Sequence, residues 1–243
     1  MKSILILGAS SDIAKALSHK YASNGYNIIL AGRNTKELEL DAKNLELRYN
    51  IKTRTSFFDA LEEEKHPEFY NAIKEELIGV ICVVGYLGDQ SKSQKYPQET
   101  KKIIDTNYTG CVSILNIVAN DFEEKKEGFI IGISSCAGDR GRASNYTYGS
   151  AKGAFSLYLS GLRNRLSKYD INVLTVKPGF VDTKMTSNLD LPKLLTAKPE
   201  EVANDIFKAQ QQKKNIIYTK WYWLFIMMII KHIPEFIFKK MNL

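Results

Sequence analysis

A chain of 243 residues, 44 % apolar and 25 % charged, is large enough for one α/β domain with a full core. Its net charge of +7 favours capture of anions and attraction to anionic surfaces, but it is not concentrated in a nucleic-acid motif, so no nucleic-acid partner is expected. Cys82, Cys111 and Cys136 make neither a metal spacing nor a disulfide framework, and His19, His66 and His232 form no cluster, so no metal site is expected.

Ser3 to Leu7 is an unbroken apolar run, the pattern of a buried parallel strand. It is too short for the core of a signal peptide, so a cytoplasmic, reducing location is expected. Gly8-Ala-Ser-Ser-Asp-Ile-Ala follows, then a helix over residues 12–24 with Ile13, Leu17 and Tyr21 along one side. Strand, tight turn and helix open a dinucleotide-binding unit, in which the free N–H groups of the helix hold a pyrophosphate. Gly8 supplies the turn, and Ser10, Ser11 and Asp12 can cap the helix. The second strand, residues 27–34, ends at Arg33. An acid there would grip the ribose hydroxyls of NAD, whereas an arginine suits the 2′-phosphate of NADP. The alternative is an arginine that merely begins a solvated helix.

Further helical patterns span residues 36–49, 64–76, 98–123, 146–169 and 200–212, alternating with apolar strands. That alternation predicts an α/β fold, a parallel sheet with helices on both faces. Gly8, Arg33, Gly85, Ser135 and Pro178 all fall at the C-terminal edge of the strands, where ligands bind in such sheets.

Ser135 ends the fifth apolar strand, and Tyr148 and Lys152 lie on the helix that follows. Tyr148 and Lys152 are four apart and share a helix face, about 5–6 Å between Cβ atoms. A phenol is a poor base at neutral pH, and an adjacent ammonium would favour the phenolate and lower its pKa. The set suits proton transfer to an oxygen while a hydride moves at the adjoining carbon. The spacing alone means little, because Tyr70 and Lys74 share it on what reads as a solvated helix, with Phe57 where a serine would be needed.

In this order the motifs resemble the short-chain dehydrogenase/reductase family over residues 3–183. The resemblance implies a Rossmann-type doubly wound three-layer fold with about seven strands. Gly8, Ser10, Ser11, Asp12 and Ile13 stand in the family's glycine-rich turn, with Asp12 and Ala14 replacing glycines. Asp59 matches an adenine-binding aspartate. Gly85 alone survives from the family's Asn-Asn-Ala-Gly. Asn107 matches a mid-helix asparagine that bends the helix and relays protons to the active-site lysine. Pro178, Gly179, Val181 and Thr183 match the segment that holds the nicotinamide carboxamide. The implied catalytic set is Asn107, Ser135, Tyr148 and Lys152, the implied cofactor NADP(H), and the implied assembly a homodimer or homotetramer.

Beyond residue 183 the resemblance thins. Residues 184–200 are expected to form a substrate lid within the single 1–243 domain, and 220–243 an apolar, basic appendage. Residues 221–230 are ten consecutive apolar residues, too few to span a bilayer, which needs about 20. Flanking lysines give the pattern of an interfacial anchor. Burial in a subunit interface, or service as a lid, is the equal alternative. Pro234 predicts two short helices. The expected activity is NADPH-dependent reduction of a ketone. The opening turn, the altered fourth strand and the apolar C-terminus resemble the branch that includes the polyprenyl-phosphoribose 2′-epimerase reductase, which implies a lipid-linked keto-sugar for a surface glycan and peripheral membrane contact through residues 221–238 on the inner face. The alternatives are a soluble acyl, steroid or general carbonyl reductase, and an NADP-binding regulator with little activity.

Overall fold

The computed structural model describes residues 2–188 and 190–241. In chain order the elements are β1 (Ser3–Leu7), α1 (Asp12–Ala22), β2 (Asn27–Gly32), α2 (Thr35–Tyr49), β3 (Thr53–Phe57), α3 (His66–Asn71), β4 (Leu77–Cys82), α4 (Gln90–Ser93), α5 (Pro97–Ile104), α6 (Gly110–Lys125), β5 (Phe129–Ile133), α7 (Tyr146–Leu166), β6 (Asn172–Pro178), β7 (Phe180–Val181), β8 (Thr196–Ala197), α8 (Pro199–Gln211), β9 (Ile216–Thr219), α9 (Tyr222–His232) and α10 (Glu235–Phe238). Seven strands form one parallel sheet in the order β3-β2-β1-β4-β5-β6-β9, and β7 pairs with β8 separately.

β1 is buried along its whole length. Its side chains alternate between the two faces. Ile4 and Ile6 join Leu17, Tyr21, Leu30 and Ile206 on the α1 and α8 side. Leu5 and Leu7 join Ile114, Val118, Phe155 and Leu159 on the α6 and α7 side. Each such leucine or isoleucine contributes roughly 1.5–3 kcal/mol by leaving water, so both layers are clamped to the central strand. β1 pairs with β2 on one side and β4 on the other. The chain therefore leaves β1 in opposite directions in its two halves, and a crevice opens between the strand ends at that reversal.

Three helical spans differ from the sequence pattern. Residues 64–76 break into α3 flanked by 3₁₀ turns at Glu63–Lys65 and Lys74–Glu76. His66, bonded to Ser113 Oγ at 2.9 Å and the Asp59 carbonyl at 3.1 Å, pins the start of α3 to α6. Tyr70 is not on a solvated face: it is buried and its hydroxyl donates to Asp121 at 2.8 Å. Residues 98–123 form α5 and α6 joined by a π-helical turn, Asp105–Thr109. The short α4 has no apolar period to announce it; Asp89 caps it through the Lys92 N–H.

At the C-terminus, Pro234 separates α9 from α10 as expected. Arg140 closes the end of α9, where carbonyls lack helical partners. Its Nη1 donates to the Ile230 and Ile233 carbonyls at 2.6 and 2.7 Å, and Nη2 pairs with Glu235 at 2.9 Å. Trp223 and Met227 are buried against Cys136, while Trp221, Leu224, Phe225, Met228 and Ile229 are exposed. No helix among the described residues is long and apolar enough to cross a membrane.

Candidate active site

The turn after β1 is built for close approach. Gly8 has φ +77°, and its N–H, like that of Ala9, donates to the Ala31 carbonyl at 3.0 Å. A β-carbon on Gly8 would stand 3.0 Å from the Val84 nitrogen, so only glycine fits between β1 and the exit of β4. Ser11 caps α1, accepting from the Ala14 N–H at 3.2 Å. Asp12 does not cap it. Its Oδ2 accepts from the Lys184 backbone N–H at 2.7 Å, which turns the carboxylate away from the helix terminus. At the end of β2, Arg33 is exposed, and its guanidinium makes no ion pair among the described residues.

Two glycines bring the turn after β5 onto α7. A β-carbon on Gly149 would lie 2.7 Å from the Ala137 carbonyl oxygen, and one on Gly153 2.8 Å from that of Gly138. This contact sets Ser135 opposite Tyr148. Ser134 ties the same strand end to α7, donating to the Lys152 carbonyl at 2.9 Å.

Lys152 is 2 % exposed, and its ammonium donates to the carbonyls of Ile133 and Val84 at 3.0 and 3.2 Å. Its nitrogen lies 5.9 Å from the centre of the Tyr148 ring. Burial lowers the pKa of Lys152, and burial pushes Tyr148 up to about 12, with the Ser135 hydroxyl acting the other way. The expected depression of the phenol by its neighbour is therefore not present in the structure. Desolvation sets the direction, and the ammonium is directed at two backbone carbonyls instead.

Asn107 is fully buried at the π-helical turn. It donates to the carbonyls of Ile103 (2.8 Å) and Tyr86 (2.7 Å) and accepts from the Tyr86 N–H at 3.1 Å. The displaced Ile103 carbonyl explains the widened turn. Asn107 does not line the cavity, but its Oδ1 and the Lys152 nitrogen flank Gly85, 3.5 and 3.6 Å from where a β-carbon would be.

One cavity of about 710 Å³ gathers Gly8, Ser10, Ser11, Asp12, Ile13, Arg33, Asp59, Gly85, Ser135, Tyr148, Lys152, Pro178, Gly179, Val181 and Thr183. Asp59 uses Oδ1 to accept from the Leu61 N–H at 3.1 Å. Gly179 admits Trp223 of α9, whose ring stands 2.0 Å from where a β-carbon on that glycine would be. Lys184, Met185 and Thr186, from the expected lid, also line the cavity; Leu189 of that span lies outside the described residues, as do residues 242 and 243 of the appendage. Sequence reasoning missed Glu37, Arg142 and Asn145. The last two sit in the loop between Ser135 and Tyr148, and that bracketing was the available signal. Glu37 lines the cavity while paired with Lys15 at 2.9 Å, a partner 22 residues away that no local pattern records.

A family model described as short chain dehydrogenase matches residues 2–193. An uncharacterized oxidoreductase of Mycobacterium tuberculosis is 30 % identical over 241 residues, covering 98 % of this chain and 96 % of its own. Among solved structures, a short-chain dehydrogenase from Sphingobium yanoikuyae in complex with NADPH has a TM-score of 0.83 at 19 % identity, covering 97 % of each chain. The bulky-bulky ketone specific alcohol dehydrogenase from Comamonas testosteroni has a TM-score of 0.80 at 19 % identity, covering 97 % of this chain and 96 % of that one. With four-fifths of its length under the family model and a full-length relative beside it, the chain belongs to the short chain dehydrogenase family of oxidoreductases.

Proposed function

We propose that the protein reduces a ketone to an alcohol with NADPH. The observation that carries this reading is the single cavity joining the Gly8 turn and Arg33 to Ser135 and Tyr148. Its residues fit a dinucleotide. The Gly8 cradle is one that a β-carbon would fill, and the N–H groups at the start of α1 open beside it. Ser10, Ser11 and Ile13 would hold the pyrophosphate, Arg33 the 2′-phosphate and Asp59 the adenine. Pro178, Gly179, Val181 and Thr183 would hold the carboxamide.

When bound, NADPH supplies the hydride for the carbonyl carbon. The chain's own residues handle the oxygen. Ser135 and Tyr148 donate hydrogen bonds to it and stabilise the charge that develops there. Tyr148 then gives up its proton. A phenol pushed up to about 12 is protonated at neutral pH, the form a proton donor requires. Lys152, fixed by two strand-end carbonyls, would hold the nicotinamide ribose. Asn107, across Gly85 from it, supports return of the proton to Tyr148.

For the substrate, our reading is a keto-sugar on a lipid carrier, with peripheral contact between the C-terminal helices and an anionic bilayer. Support comes from α9, which is apolar on its outward face and packs its inward face on the cavity wall. Trp223 meets Phe180 edge-on, ring centres 5.1 Å apart, and Phe180 lines the cavity. A helix apolar all round has its outer face covered by something other than water. Soluble ketone reduction, with α9 in a homodimer or homotetramer interface, is the competing reading.

The test is Tyr148→Phe in the purified protein. NADPH oxidation with a ketone panel should fall by roughly 10³-fold or more while NADPH still binds, since a general acid and an oxyanion donor are lost together. Near-normal turnover would refute the assignment.

A further inference from the structure

A carboxylate lines the cavity close to the arginine that would hold the 2′-phosphate. Arg33, Asn34 and Glu37 all belong to the lining where β2 gives way to α2. Asn34 caps α2 and meets Glu37 twice: its Oδ1 accepts from the Glu37 N–H and its Nδ2 donates to Glu37 Oε2, both at 3.4 Å. The carboxylate is thus fastened to the chain neighbour of Arg33. Its side chain is 35 % exposed, so an entering cofactor can reach it. An acid at this strand end is the group that accepts from the ribose hydroxyls of NAD, and it repels a 2′-phosphate. Arg33 and Glu37 therefore pull cofactor choice in opposite directions.

Lys15 removes the conflict. It lies on α1, outside the lining, and its ammonium meets Glu37 Oε1 at 2.9 Å and Asp41 Oδ2 at 3.1 Å. The bond to Lys15 holds the Glu37 carboxyl below the usual carboxylate range, so the group is ionised and paired. Lys184, which also lines the cavity, adds positive charge in the same sense. Both carboxylate oxygens are then committed, Oε1 to Lys15 and Oε2 to Asn34. Asp41 shares the same lysine but does not line the cavity.

We propose that Lys15 selects the cofactor by acting through Glu37. By neutralising and restraining that carboxylate, it lets the rim at Arg33 accept the 2′-phosphate of NADPH and denies the ribose hydroxyls of NADH their acceptor. The proposal rests on the placement of the 2′-phosphate at Arg33 given above and does not depend on the identity of the ketone. Lys15 touches no part of the cofactor; it is a positioning residue for the charge that does. Without its ammonium, Glu37 turns from a paired group into a free acceptor with an uncompensated charge, which weakens NADPH and leaves NADH unharmed.

The experiment titrates the full chain with NADPH and with NADH by calorimetry, in the absence of substrate, and takes the ratio of the two affinities. Lys15→Met should lower the NADPH-to-NADH ratio roughly fivefold or more at low ionic strength, and the loss should shrink as salt rises. Lys15→Arg should keep the ratio. Adding Glu37→Gln to Lys15→Met should recover most of it, and adding Asp41→Asn much less. Glu37→Gln alone, which leaves α1 untouched, should raise it. A ratio unchanged by Lys15→Met, or a loss that Asp41→Asn repairs as well as Glu37→Gln does, overturns the proposal and reduces the bridge to a clamp between α1 and α2. Arg33→Ala separates this proposal from the reading beneath it. If Arg33→Ala lowers the ratio and Lys15→Met does not, only the role of Lys15 falls. If Lys15→Met lowers it and Arg33→Ala does not, the role of Lys15 stands and that of Arg33 falls; if neither does, both fall.

Discussion

Asp12 and Lys184 are joined across 172 residues by a 2.7 Å hydrogen bond from the lysine's backbone N–H to the aspartate's Oδ2. The bond ties the start of α1 to the segment that follows β7, and both residues line the cavity. It also explains why an acid is tolerated where a pyrophosphate would lie: its charge is directed at a backbone donor on the opposite wall.

Asp12→Ala should therefore loosen residues 183–187 without unfolding α1, whose cap is Ser11. A hydrogen bond to a charged group is worth about 1.5–3 kcal/mol, so the Lys184 amide should exchange roughly tenfold faster or more. Hydrogen exchange read by mass spectrometry or NMR checks this, and unchanged protection would show that the bond does not hold the segment.

Ketone reduction should be insensitive to pH through neutrality. Burial raises the Tyr148 pKa to about 12 from an ordinary 10, so the proton to be donated is present well above pH 7. The reverse alcohol oxidation needs the phenolate and should climb with pH over the same range. The folded form is also favoured by the neutral phenol, so this contribution to stability is complete below pH 10 and is lost as pH rises from 10 toward 12. Rate profiles in both directions test the claim; a reduction rate that falls with an apparent pKa near 7 would contradict it.

Gly179→Ala should destabilise the C-terminal helices. Its β-carbon would meet the Trp223 ring at 2.0 Å, and overpacking of a fixed aromatic costs about 1–3 kcal/mol. Trp223→Leu in the same chain should recover part of the loss. Thermal melts of the two single variants and the double variant give the coupling, and additive effects would mean that the two positions do not touch.

Phe225→Glu with Ile229→Glu places charge on the exposed face of α9 and leaves Trp223 and Met227 buried. If that face meets a bilayer, the wild-type chain should sediment with anionic vesicles and release as salt rises, because the lysine contribution is screened. The double variant should lose roughly tenfold or more in vesicle affinity, since two apolar side chains leave the interface. A dimer in solution that the same variant dissociates, with no vesicle binding, would assign the face to a second copy of the chain.

Much of this architecture was legible before folding. Apolar runs bounded by turns marked the central strands β1, β2, β4 and β5, which are buried almost throughout, and Tyr148 and Lys152 announced a shared face because a helix fixes the neighbours of residue i at i+4. The breaks in residues 64–76 and 98–123 were not legible. His66 and Asn107 cause them through partners at Ser113 and Tyr86, far along the chain, and no local period records such bonds. Arg142 and Asn145 escaped notice for a related reason: a loop residue's side chain takes its role from whatever the fold sets opposite it.

By itself, then, the sequence determined the parallel sheet, the glycine turn and the residues able to move a proton, since periodicity, glycine's conformational freedom and side-chain chemistry are local properties. Tertiary structure alone decided the direction of the Tyr148 pKa, the partner of Asp12 and which loop residues line the cavity. Those depend on desolvation and on distances between segments remote in the chain, which only the packed molecule sets.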